Sequence, residues 1–185
     1  MKILLLCEPR SGSTNFANWF NLDKRFTVLF LPTDPKSKWY RKGNPKNYYY
    51  KTEHLLIKED FYPEIDYSEL INFSDKIIFL HRENEADQIA SWCNSLCTGN
   101  WHSQWIYEKK NSLDEHENFF RGLKEKFKKI RLSSNSGINI SYEDLYQKSG
   151  INIVIEYLEI HDLNKSVWPV GKKYRIDDFK GRSII

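Results

Sequence analysis

No run of apolar residues in this 185-residue chain approaches the roughly 20 that a membrane-crossing helix needs. The first run, Ile3 to Leu6, follows a single lysine and is halted by Glu8 and Pro9. It fits neither a membrane span nor a secretory leader. Cysteine is scarce: three residues cannot complete a paired disulfide framework, which points to a reducing compartment. Cys93 and Cys97 stand one helical turn apart with His102 beyond, but a fourth zinc ligand is missing and one apolar helix face accounts for the pair. Charge of one sign is also lacking. A net charge of +3 is too small to argue for nucleic acid, though it allows a local basic pocket for an anionic ligand. Repeats and low-complexity tracts are absent. What remains, 40% hydrophobic and 15% aromatic residues, suits one globular domain over residues 1–185.

Short apolar segments alternate with helical ones. Strands are expected at Ile3–Leu6, Phe26–Leu31, Leu55–Ile57, Ile77–Leu80 and Ile138–Ile140. Helices are expected after Thr14, over Tyr67–Phe73, from Glu83 to about Leu96, after an N-cap at Ser112, and from Ile151 to Ile160. In the fourth, Phe119, Phe120, Leu123, Phe127 and Ile130 recur at helical spacing, with Lys124, Lys126, Lys128 and Lys129 mainly in solvent. Such alternation predicts an α/β fold, a parallel sheet flanked by helices, with ligands at the carboxyl ends of the strands. The stretch from Asp34 to Tyr50 is rich in lysine and aromatic residues and reads as a lid over the site or as a solvated loop.

The segment Cys7-Glu8-Pro9-Arg10-Ser11-Gly12-Ser13-Thr14 lies between the first strand and the first helix. A tight turn there aims backbone N–H groups and the positive end of the helix dipole at one spot, an arrangement that binds phosphate or sulfate. Arg10 adds a charged fork of donors. The lysine of the nucleotide-triphosphate loop is missing, which weakens a kinase reading. Cys7 invites a phosphatase reading, but Pro9 removes a donor and Arg10 follows too soon to close such a cradle. A buried strand-end cysteine suits it better.

This loop, Pro9-Arg10-Ser11-Gly12-Ser13-Thr14, resembles the phosphosulfate-binding loop of sulfotransferases, in the variant with Arg before Ser-Gly. Two more segments are similar to that family. His81-Arg82 through Ser91-Trp92 looks like its strand–Arg–helix–Ser element, and Ser141-Tyr142-Glu143-Asp144-Leu145 looks like its strand ending in Tyr-Glu-Asp-Leu. The resemblance implies a P-loop NTPase-like sulfotransferase fold and 3′-phosphoadenylyl sulfate (PAPS) as donor, with PAP as product and no metal. It places Ser11, Gly12, Ser13 and Thr14 with Arg10 on the 5′-phosphosulfate, Arg82 and Ser91 on the 3′-phosphate, and Tyr142 near the adenine. Phe16 and Trp92 are further candidates for the stacking face. Lys172, Lys173 and Arg175 either complete the 3′-phosphate pocket or form a charged tail. Arg82 has a plainer alternative, a surface salt bridge with Glu83 or Glu85.

Many cytosolic relatives carry Lys-x-His at the end of the third strand, supplying a cation and a general base. Here Lys58-Glu59-Asp60 stands there. Asp60 takes the place of the base, Glu59 points to the other face if the strand persists, and Lys58 is available to the transferring group. Alternatively, Glu59 and Asp60 open a solvated turn. His54 lies at the wrong end of the strand, and His81 adjoins Arg82. The expected activity is sulfuryl transfer to a hydroxyl or amine of a small-molecule, carbohydrate or peptide acceptor, by a cytoplasmic protein with neither nucleic acid nor membrane as partner. The competitors are a divergent nucleotide kinase or phosphatase and a non-catalytic nucleotide-binding module.

Overall fold

A computed structural model describes residues 1–32, 48, 50–98, 113–147 and 150–163, and its centre is β1 (Lys2–Cys7). Ile3 through Cys7 are fully buried, as a parallel strand covered on both faces requires. Then follow α1 (Ser13–Asn21), β2 (Phe26–Phe30), β3 (His54–Asp60), α2 (Ser68–Phe73), β4 (Lys76–His81), α3 (Glu85–Thr98), α4 (Leu113–Ser133), β5 (Ile138–Ser141), α5 (Tyr142–Gln147) and α6 (Gly150–Leu158). All strand pairs are parallel and the order is β2-β3-β1-β4-β5. The expected α/β fold is therefore the observed one.

The period of two along each strand sorts the core into two layers. Ile3, Leu5, Leu56, Ile78 and Leu80 meet Phe16, Ala17, Phe20, Val154 and Ile155 of α1 and α6. On the other face Leu4, Leu6, Leu55, Ile57 and Phe79 meet Leu70, Leu123 and Phe127. Each fully buried side chain of this size contributes about 2 kcal/mol. From β1 the chain moves outward to β2, whereas from β4 it moves the other way to β5. The β1–β4 junction is thus where the winding direction reverses, and the crevice such a junction opens lies at the carboxyl ends of these two strands. The loops leaving those ends are 8–12 and 82–84. α5 is an addition to the expected elements: the chain turns helical at Tyr142, immediately after β5, because the Ser141 hydroxyl accepts from the Asp144 N–H at 3.0 Å and caps the new helix.

Candidate functional site

The first loop keeps close to the sheet before turning. The Glu8 N–H donates to the Leu80 carbonyl at 2.9 Å, and the Ser11 N–H donates back to the Glu8 carbonyl at 3.3 Å. The turn uses two left-handed residues, Arg10 at φ 64° and Gly12 at φ 79°. For Arg10 that conformation costs roughly 1 kcal/mol. Gly12 is the N-cap of α1, so Ser13 and Thr14 occupy a first turn whose N–H groups have no acceptor within the helix. Gly12 is also packed tightly: a Cβ there would lie 2.8 Å from the Tyr146 ring and 2.9 Å from the Tyr142 ring. The Tyr146 hydroxyl donates to the Gly12 carbonyl at 2.7 Å. Ser11 is fully buried, and its Oγ has no hydrogen-bond partner among the described residues.

The second half leaves β4 at Arg82. Asn84 caps α3 through its side chain, which accepts from the Asp87 N–H at 3.1 Å. Glu143 accepts from the N–H groups of Glu83 at 2.9 Å and Asn84 at 3.1 Å. Arg82 is 4% exposed. Its partners are Asp87, with Nη2 3.3 Å from Oδ2, and Glu143, with Nε 3.8 Å from Oε1. Neither Glu83 nor Glu85 is its ion-pair partner, and Glu85 pairs with Arg121 instead. The guanidinium lies over the Tyr142 ring, 4.3 Å from its centroid, a desolvated cation–π contact. Arg82 Nε makes no hydrogen bond among the described residues. Ser91 is buried two turns into α3, and Arg10 Nε donates to its Oγ at 3.1 Å. The structure therefore brings the first loop and the strand–Arg–helix–Ser element into direct contact.

Three residues that sequence reasoning passed over hold these halves together. The Glu8 carboxylate is buried against the Arg82 N–H, Gln88 and Lys124. Lys124 is a correction: it is not a solvated lysine of α4, for its side chain is only 13% exposed. Lys126, Lys128 and Lys129 do lie in solvent. A lysine three positions before the buried Phe127 was the one signal available, because such spacing puts both on one side of a helix.

At the end of β3 the strand persists through Asp60. Alternation puts Lys58 and Asp60 on the α1 face and Glu59 on the other. All three are buried, so Glu59 and Asp60 do not open a solvated turn. Lys58 Nζ lies 2.6 Å from Asp60 Oδ1. Burial alone would lower the lysine's pKa, but Asp60 and the other acidic neighbours outweigh it and hold the ammonium charged. Cys7 Sγ sits beside the pair, donating to the Glu59 carbonyl at 2.9 Å, with Asp60 Oδ1 at 3.7 Å. Burial pushes its thiol far up, against the pull of Lys58, which suits a core residue and not a thiolate nucleophile.

Phe16 and Trp92 are fully buried, Phe16 against Trp19 and Phe20 and Trp92 against Phe120, so neither offers a ring face at the site. Tyr142 is 3% exposed, between Arg82 and Tyr146. His54 lies at the amino end of β3, against Phe26. His81 ends β4, where burial and the nearby Arg131 and Lys124 push its imidazole down to about 4. Lys172, Lys173 and Arg175 lie outside the described residues, as do His102, Ser112 and, apart from Tyr48 and Tyr50, the segment from 34 to 50. Among the described residues no group of three or more His, Cys, Asp or Glu side chains could hold a metal ion, and no helix is long and apolar enough to cross a membrane.

No protein-family model matches the sequence, and no curated protein matches it. Among solved structures, the fold is similar to that of mouse sulfotransferase SULT7A1 complexed with PAP, at a TM-score of 0.57 and 14% sequence identity. The match covers 89% of this chain and 60% of that one. At that identity the likeness is one of architecture: the five-stranded parallel sheet and its flanking helices make a sulfotransferase-like α/β fold.

Proposed function

We propose that this chain transfers a sulfuryl group from PAPS to a hydroxyl or amine acceptor by in-line displacement. The observation that carries the reading is the contact of Arg10 with Ser91, which joins the first loop to the strand–Arg–helix–Ser element across the β1–β4 junction. Two buried atoms fit the same ligand. Ser11 Oγ has no hydrogen-bond partner among the described residues, and Arg82 Nε has none beyond its ion pair with Glu143 at 3.8 Å; a buried donor left without a hydrogen bond is costly unless a ligand meets it. Arg10 and the N–H groups of Ser11, Gly12, Ser13 and Thr14 would hold the 5′-phosphosulfate, with Arg82 and Ser91 on the 3′-phosphate. The SULT7A1 neighbour's complex with PAP supports the choice of nucleotide.

In the transfer, the acceptor oxygen or nitrogen attacks sulfur, the bond from sulfur to the phosphate oxygen breaks, and PAP leaves with the electron pair. Loop donors and Arg10 stabilise the charge that collects on the leaving phosphate. Lys58 turns from Asp60 toward the transferring group, and Asp60 takes the acceptor's proton. The buried Cys7 thiol argues against the phosphatase alternative. Acceptor class and a cytoplasmic setting remain part of the same proposal.

Calorimetric titration with PAP and with ATP tests the nucleotide, and a labelled donor with a panel of acceptors tests the transfer. PAP is expected to bind more tightly than ATP; the reverse order would defeat the reading. Arg10→Ala is expected to raise the barrier by on the order of 3 kcal/mol. Transfer untouched by both Arg10→Ala and Asp60→Asn would remove the catalytic assignments.

A further inference from the structure

Three polar side chains from distant parts of the sequence, two buried and Lys124 partly so, meet behind the two halves of the site. Glu8 follows β1, Gln88 lies on α3 and Lys124 on α4, with Glu8 3% exposed and Gln88 fully buried. Their hydrogen bonds end on the backbone that carries the site. Glu8 Oε2 accepts from the Arg82 N–H at 3.1 Å. Gln88 Nε2 donates to Glu8 Oε2 at 3.1 Å and to the Pro9 carbonyl at 2.8 Å. Lys124 Nζ donates to Gln88 Oε1 at 2.6 Å and to the Arg82 carbonyl at 2.8 Å, and reaches Glu8 Oε2 at 3.3 Å. The carbonyl before Arg10 and both backbone polar groups of Arg82 thus belong to one network.

A buried ion pair is a weak source of stability, since apolar residues of the same volume often serve as well. What apolar residues cannot do is fix a carbonyl and an N–H at set positions. Here the fixed groups belong to the two segments that must meet opposite ends of one ligand. We propose that Glu8, Gln88 and Lys124 are positioning residues that clamp the first loop to Arg82, so that a nucleoside 3′,5′-bisphosphate is gripped at both ends as a unit. The inference rests on the sulfuryl-transfer reading of the site. None of the three residues needs to touch the nucleotide. Their effect appears in how much the second phosphate adds to binding, because a loop and an Arg82 free to drift apart cannot both be in place at once.

The test compares PAP with 5′-AMP, which lacks the 3′-phosphate, by calorimetry on the full chain. The proteins are wild type, Lys124→Met, Glu8→Gln and the double variant, with circular dichroism and melting curves alongside. Wild type is expected to prefer PAP. In Lys124→Met that preference is expected to fall about tenfold, within the range such couplings span. The double variant is expected to lose little more than either single one, as parts of one network do. If Lys124→Met does not fold, Glu8→Gln, which keeps the side chain's shape, carries the same comparison. A PAP preference kept intact in folded variants overturns the clamp and leaves the functional reading standing. A wild-type protein indifferent to the 3′-phosphate overturns that reading, and the clamp with it.

Discussion

Replacing Gly12 by alanine loads the most crowded point of the site. The new Cβ would lie 2.8 Å from Tyr146 Cε2 and 2.9 Å from Tyr142 Cδ2, inside any normal contact distance. Neither ring can retreat easily: Tyr146 donates to the Gly12 carbonyl at 2.7 Å, and Tyr142 is stacked between Tyr146 and Arg82. Holding alanine at φ 79° adds roughly 1 kcal/mol, and forcing a methyl into a filled space adds about 1–3 kcal/mol. The expected loss is on the order of 3 kcal/mol in urea unfolding, or a fall in Tm of about 10 °C for a chain this size. Because Arg82 rests on the displaced Tyr142, PAP binding should weaken too. Gly122→Ala is the control: on α4 nothing lies within 4 Å of the new Cβ, and helix propensity predicts a gain of about 0.5–1 kcal/mol. If Gly12→Ala cost less than about 0.5 kcal/mol, the packing argument for this loop would be wrong.

Further outcomes follow from the buried charges. Asp60→Asn strips Lys58 of its partner at 2.6 Å and should cost on the order of 3 kcal/mol in stability. Pairing Lys58→Met with Asp60→Leu should restore much of that stability and none of the transfer; transfer regained in the double variant would refute the roles given to both residues. At His81, burial first and then Arg131 and Lys124 lower the folded pKa from 6.5 to about 4. The unfolded chain therefore binds more protons between those values, so this residue's contribution is full above about pH 6.5 and drains away toward pH 4. Urea midpoints measured across that window should fall less steeply in His81→Gln than in wild type. Equal slopes would place the acid sensitivity elsewhere.

The strands were legible because β1 and β4 are apolar on both faces, and their ends because Glu8 and Arg82 interrupt that pattern. The tight left-handed turn of the first loop was legible because glycine, arginine and hydroxyl residues crowd one short segment after β1. What could not be read was pairing across the chain. Glu8 and Lys124 are 116 positions apart; the spacing of Lys124 from Phe127 hints at an inward side chain, but nothing local names its partner. The candidates for an adenine-stacking ring, Phe16, Trp92 and Tyr142, stayed open in the sequence for a related reason: the helix phase that turns Phe16 and Trp92 into the core is set by packing, not by the motifs beside them. α5 was missed because its cap, Ser141, is itself the last residue of β5. Asp60 was ambiguous between strand end and turn because its burial depends on Lys58 and Cys7, which alternation and strand pairing bring beside it.

A crystal structure of the chain with PAP bears most directly on the central claim. The account predicts one nucleotide spanning the β1–β4 junction, its 5′-phosphate on Arg10 and the Ser13 and Thr14 N–H groups and its 3′-phosphate on Arg82 and Ser91. A nucleotide bound away from that junction, or one whose 3′-phosphate meets neither Arg82 nor Ser91, would contradict it.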